Sequence, residues 1–220
     1  YSREINDNIK FTTSVNYRSL VSDNFAEISD MLGGYSYSNI DSFDNLDYNL
    51  LSPNSIISGG DKFKYHYKMN AEELSLFTMM NFTFDKFELY LAGDLTNTTY
   101  QRDGIFENEA NAGNSAGKGD EINFNGYGLK AGITYKFSGK HILDFNSAFL
   151  QKAPSIRNTF TNSRVNHNVV GSDVSGLIND SPITEEKIMS FDANYIFRTP
   201  IFTGRLTGFY SEVKDANEIS

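Results

Sequence analysis

Residues 113–117, Gly113-Asn114-Ser115-Ala116-Gly117, spell GxSxG, a pattern that in hydrolases places a nucleophilic serine on a strained strand-to-helix turn. Here the pattern sits inside a polar stretch, 108–120, with no apolar strand before it and no helical periodicity after it, so loop composition accounts for it. Gly126-Tyr127-Gly128-Leu129-Lys130-Ala131 has the GxGxxA spacing of a dinucleotide fingerprint. That chemistry needs a helix N-terminus whose backbone N–H groups meet a pyrophosphate, whereas these residues alternate as a strand does. Asp41, Asp44 and Asp47 recur every third residue, but without the glycine and terminal glutamate of a calcium-binding loop, which leaves an acidic solvated loop. His66, His141 and His167 lie in separate segments, and no HExxH pairs any two of them. Asn81-Phe82-Thr83 and Asn97-Thr98-Thr99 fit the glycosylation sequon but fall within or at the end of strands. Asp94, Asp144 and Asp192 are the carboxylates a glycosidase-like pair would draw on; they come from different strands, and a charge network accounts for them. No catalytic residue, metal ligand or cofactor site is expected.

The elements that would position these residues have period two. Phe11, Thr13, Val15 and Tyr17 share one face of a first strand. A second aligns Leu74, Leu76, Thr78, Met80, Phe82 and Phe84, and a turn at Asp85-Lys86 leads into a third with Phe87, Leu89, Leu91, Gly93 and Leu95. Tyr127, Leu129, Ala131, Ile133, Tyr135 and Phe137 form the fourth apolar face; Ser138-Gly139-Lys140 turns the chain into the fifth, with His141, Leu143, Phe145, Ser147 and Phe149. Met189, Phe191, Ala193, Tyr195 and Phe197 lie on the sixth, and Leu206, Gly208 and Tyr210 on the seventh. Tyr1-Ser2-Arg3 reads as the tail of one more strand.

Connections alternate between two to six residues and long segments at about 22–72, 101–122 and 151–184. In an up-and-down sheet every short turn then lies at one end and every long loop at the other, the arrangement of transmembrane β-barrels. None of the residues on the seven apolar faces is Asp, Glu, Lys or Arg. The opposite faces carry Lys10, Arg18, Glu73, Glu88, Asp94, Lys130, Lys136, Asp144, Asp192, Arg198 and Arg205. One side suits lipid and the other a hydrated lumen. The glycines at 126, 128 and 132 fall on the lumen side, where they leave room for a packed neighbour. Aromatics gather at the short-turn ends as a girdle. A soluble β-sandwich, as in a secreted adhesin or carbohydrate-binding module, is the alternative, although its Greek-key connections sort loops by end less consistently.

Composition agrees with the all-β reading. The 220 residues include 18 Phe, 13 Tyr, 24 Asn and 17 Gly, with 4 Pro and no Trp, so strand-favouring aromatics supply much of the apolar content and turn formers the connections. The absence of Cys removes disulfides and thiolate chemistry. A net charge of −9 argues against a nucleic-acid partner. No apolar run approaches the roughly 20 residues of a membrane-spanning helix.

Several segments, in order, resemble the barrel of TonB-dependent outer-membrane receptors of the Bacteroidetes type: Asp30-Met31-Leu32-Gly33-Gly34-Tyr35, residues 59–66, Thr98 to Phe106, Lys152-Ala153-Pro154-Ser155-Ile156-Arg157-Asn158, and Gly208 to Asp215. The resemblance covers almost the whole chain. It implies that residues 1–220 are the later part of a 22-stranded barrel in the Gram-negative outer membrane, the plug domain and C-terminal strands lying outside the chain. It further implies import of a scarce extracellular ligand such as a siderophore, glycan or peptide, with outer-membrane lipid, the TonB complex (through the plug) and a surface lipoprotein as partners. Arg157 and Asn158, just after the fifth strand where a loop could fold back over the lumen, are the candidate ligand contacts.

Overall fold

The alternating segments become long antiparallel strands. The computed structural model describes residues 1–172 and 183–216. Its strands are β1 (Ser2–Asn6), β2 (Ile9–Glu27), β3 (Tyr37–Ser38), β4 (Ile56–Ile57), β5 (Lys62–Thr83), β6 (Phe87–Gly104), β7 (Gly117–Lys118), β8 (Ile122–Lys136), β9 (His141–Lys152), β10 (Glu186–Arg198) and β11 (Thr203–Lys214), with a short α-helix, α1 (Ile156–Thr159), and a 3-10 turn, Glu109–Asn111. A nine-stranded sheet runs β1-β2-β5-β6-β8-β9-β10-β11, with β7 added on β6; β3 and β4 pair separately. Each long strand lies beside its neighbour in sequence, as in an up-and-down meander. Among the described residues the sheet is open, since β1 and β11 each pair on one side only.

A slip of one residue between two strands would send every side chain to the opposite face. Here all the registers agree. Phe11 pairs with Met80, Met80 with Leu91, Leu91 with Ala131, Ala131 with Ser147, Ser147 with Phe191, and Phe191 with Tyr210. The seven apolar faces read strand by strand therefore merge into one continuous face. The short turns, 7–8, 84–86, 137–140 and 199–202, lie at one end of the sheet.

The first long loop is shorter than its sequence suggests, 28–61 rather than 22–72, because β2 and β5 pair from Tyr17–Leu74 on to Glu27–Lys62. The apolar alternation fades there for two reasons. Glu72, Lys68 and Asp23 occupy the outward positions, and a bulge between Phe25 and Ala26 shifts the phase. The other loops are 105–121 and 153–185; of the latter, 173–182 lie outside the described residues. At the amino end β1 is a full strand paired to β2, and Asn6 closes its turn by accepting the Asn8 amide at 2.9 Å.

The buried hydrophobic cluster sits at the long-loop end of the inner face. Ile122 and Phe124 of β8 pack against Phe160, Val169 and Ile183, with Met69, Tyr100 and Ile156 around them. The segment after β9 thus folds back over the sheet.

Candidate functional site

Three features of this sheet can do something: its outer face, its inner face, and the loops at one end. On the outer face large apolar side chains stand uncovered. Leu129 is 62% exposed, Leu95 60% and Leu206 73%, with Val15, Leu76, Phe145 and Phe191 also exposed. Soluble monomers rarely present an apolar surface of this extent. Toward the short turns the face ends in aromatics packed in tilted and edge-on pairs. Phe87 and Tyr135 lie 4.7 Å apart, Tyr135 and Phe137 4.5 Å, and His141 meets Phe197 at 5.0 Å. His141 also shares a 2.6 Å hydrogen bond with the Tyr195 hydroxyl, a structural role. Toward the long loops charge returns at Glu72, Lys68, Asp103 and Lys187.

The inner face is polar and interlocked. The Asn194 amide donates to Asp192 at 2.6 Å and to Asp144 at 3.1 Å, and Asn146 donates to the same two carboxylates at 3.0 Å each. Asn194, 1% exposed, accepts in turn from Arg205 and Thr207 at 2.7 Å. Thr134 donates to Asp144 and Tyr90 to Asn146. Asp144 and Asp192 thus come together, but their oxygens are engaged by the neutral Asn146 and Asn194 amides and the Thr134 hydroxyl rather than by cations, and Asp94 lies elsewhere. Such a network is valuable because each member is satisfied. Glu88–Lys136 and Arg18–Glu73 (3.7 Å) add ion pairs, exposed enough to contribute little. The three inner-face glycines each receive a neighbour. A Cβ on Gly132 would meet the Tyr90 ring, on Gly128 the Asp94 carboxylate, and on Gly126 the Thr96 hydroxyl, all closer than 2.5 Å.

At the long-loop end the centre is Arg102, 1% exposed. Its Nε donates to the Ser163 carbonyl and its Nη1 to the Ser115 carbonyl, both at 2.6 Å, while Nη1 also lies 3.1 Å from Nδ1 of His167. One strand residue therefore ties 105–121 to the segment after β9. Burial pushes its guanidinium down to about 10, so it stays cationic at neutral pH. His167, whose Nε2 faces the Ala116 carbonyl at 3.2 Å, is pushed below its ordinary range, first by burial and then by the Arg102 charge. Arg102 carried no motif; an arginine at the end of a strand reads equally well as a solvated rim residue.

The sequence candidates fall as follows. Ser115 is fully buried, and its hydroxyl accepts the Asn108 amide at 2.9 Å rather than facing a base. Gly126 to Ala131 lie within β8. Asp41, Asp44 and Asp47 each accept the amide two residues on, at 2.8 to 3.0 Å. The Tyr48 hydroxyl and then the Phe43 amide hold the Asp41 carboxyl below its usual range. Asp47, however, is buried rather than solvated and also takes the Asn54 amide at 2.5 Å. It organises the 28–61 loop. Among the described residues no cluster of His, Asp and Glu could hold a metal ion. His66 bonds Asp23 at 2.8 Å beneath Phe25 and Phe106. Arg157 and Asn158 lie together on α1, started by the Ser155 side chain accepting the Asn158 amide. Arg157 is exposed and Asn158 half-buried.

No protein family, curated protein or solved structure matches this chain. Fold and surfaces define it as an open all-β antiparallel meander with one apolar and one polar face.

Proposed function

We propose that this chain is part of the wall of an outer-membrane receptor barrel of the TonB-dependent type, a transporter segment with no catalytic role of its own. The observation that carries the reading is the uncharged outer face, continuous through seven strands in register. From Leu74 to Phe84 it covers ten residue steps, about 33 Å along a strand. At a tilt of about 40° that is about 25 Å of height, the apolar band of outer-membrane barrels. The strict alternation of short turns with long loops, and the polar inner network, support the same assignment. In this reading outer-membrane lipid covers the outer face and further strands close the barrel. The loops face the cell exterior, and Arg157 and Asn158, on the segment folded over the inner face, meet an imported siderophore, glycan or peptide. Energy arrives from TonB through a plug, and a surface lipoprotein caps the loops.

The chain has no Trp, so once tryptophans outside residues 1–220 are replaced by Phe, a single tryptophan introduced here reports without background. In the complete gene product, reconstituted in vesicles containing brominated phosphatidylcholine, Leu91→Trp and Leu129→Trp are expected to be strongly quenched and Ser190→Trp, on the inner face, to be spared. Equal quenching at all three positions, or a monodisperse product that needs no detergent, would overturn the assignment in favour of a soluble sandwich.

A further inference from the structure

We propose that the inner face carries a binding site for a small zwitterion of the amino-acid type, a free dipeptide being its simplest representative. A pocket of about 270 Å³ opens there against the folded-back segment, lined in part by Glu73, Asp94, Thr96, Tyr100, Lys130 and Lys152. Its charges are sorted by strand. Glu73 of β5 and Asp94 of β6 supply carboxylates on one side, and Lys130 of β8 and Lys152 of β9 supply ammonium groups on the other. A ligand carrying both an ammonium and a carboxylate matches that division. A ligand of single charge would leave either Asp94 or Lys130 opposed by nothing.

The contrast with the lower inner face is what marks this as a site. There Asp144 and Asp192 take several hydrogen bonds each. Here, among the described residues, neither Asp94 nor Lys130 has a hydrogen bond or an ion pair, Glu73 has only its 3.7 Å contact with Arg18, and Lys152 a 3.4 Å contact with Glu186. Glycine shapes the floor: a Cβ on Gly128 would lie 2.2 Å from the Asp94 Oδ1, so the carboxylate rests in the hollow its missing side chain leaves. Tyr100 is fixed as a wall by donating its hydroxyl to the Pro154 carbonyl at 3.1 Å. The volume is at the small end for ligand pockets, which favours a dipeptide over a macrocycle. Charge-assisted hydrogen bonds of this kind are the strong ones in a partly enclosed site.

This inference deepens the receptor reading and rests on it for the inner face being an aqueous lumen. The test is calorimetric titration of the purified complete gene product with alanyl-alanine, its N-acetyl form and its C-terminal amide. The free dipeptide is expected to bind, and blocking either end to weaken binding about tenfold or more. Asp94→Asn should abolish the penalty for acetylation and Lys130→Gln the penalty for amidation. Gly128→Ala, which changes no charge but displaces Asp94, should weaken the free dipeptide as Asp94→Asn does. Equal binding of all three ligands, no saturable binding to the unaltered protein, or variants that leave the discrimination intact would overturn the site. The tryptophan quenching pattern is read separately, so the pocket can fail while the membrane assignment stands.

Discussion

A cation placed in the middle of the outer face is the sharpest test of what that face meets. Ala131 pairs with Leu91 on one side and Ser147 on the other, in the row that crosses seven strands. It lies four residues from Tyr127 and six from Phe137, about 10 Å and 15 Å of height at the tilt used above. An arginine reaches about 6 Å from its Cα, too short to lift its guanidinium from this depth to either rim. Ala131→Arg is therefore expected to cost about 2–4 kcal/mol, the midplane penalty, whereas Asn125→Arg, at the upper rim of the same strand and face, costs about 0–1 kcal/mol. Ser190→Arg points to the inner face beside Ala148 and Ser211 and keeps its charge hydrated, so it should stay within about 1 kcal/mol of the parent. The assay is equilibrium urea unfolding of the complete gene product in phosphatidylcholine vesicles, followed by circular dichroism and heat-modifiable gel mobility. Costs for the three variants agreeing within about 0.5 kcal/mol, or an order with Ser190→Arg the worst, would refute the lipid-facing argument.

Two further predictions concern the loops. Arg102→Met removes the bonds to the buried Ser115 carbonyl and the half-buried Ser163 carbonyl, so opening of segments 105–121 and 153–172 should become easier by about 2–4 kcal/mol; hydrogen exchange would read this, with β9 to β11 unchanged as the control. His167 has a folded pKa depressed below its ordinary value of about 6.5. Above that pH both closed and opened loops hold it neutral and closure is at full strength. As pH falls below about 6.5 the opened loop takes up a proton first, so closure weakens by up to roughly 1.4 kcal/mol per pH unit until the folded pKa is passed. Protease nicking of these loops should rise on acidification from pH 7 to 5, and His167→Gln should flatten that rise.

The strands were legible because each apolar face is a local, period-two pattern, and register followed from needing all seven faces on one side. Asp144 and Asp192 were legible as inner-face charges, but their joint tie to Asn146 and Asn194 depends on β9 and β10 pairing Asp192 opposite Asn146, a relation no single strand contains. The upper halves of β2 and β5 were hidden because they leave the apolar band. Once Glu72 and Lys68 replace leucine outward, alternation no longer separates faces by hydropathy, although the pairing continues past the Phe25–Ala26 bulge to Glu27 and Lys62. Arg102 was hidden for a stronger reason. Its partners are backbone carbonyls of Ser115 and Ser163, and a carbonyl has no side-chain identity to read. The loop end of such a sheet is therefore where sequence patterns say least and where the fold adds most: a buried cation fastens two polar segments, and the second of them, through Phe160 and Val169, lies against β8 beside the inner-face pocket. Tyr100, which packs against Phe124 in that cluster, also walls the pocket, so loosening the Arg102 fastening is expected to loosen that wall as well as the loops.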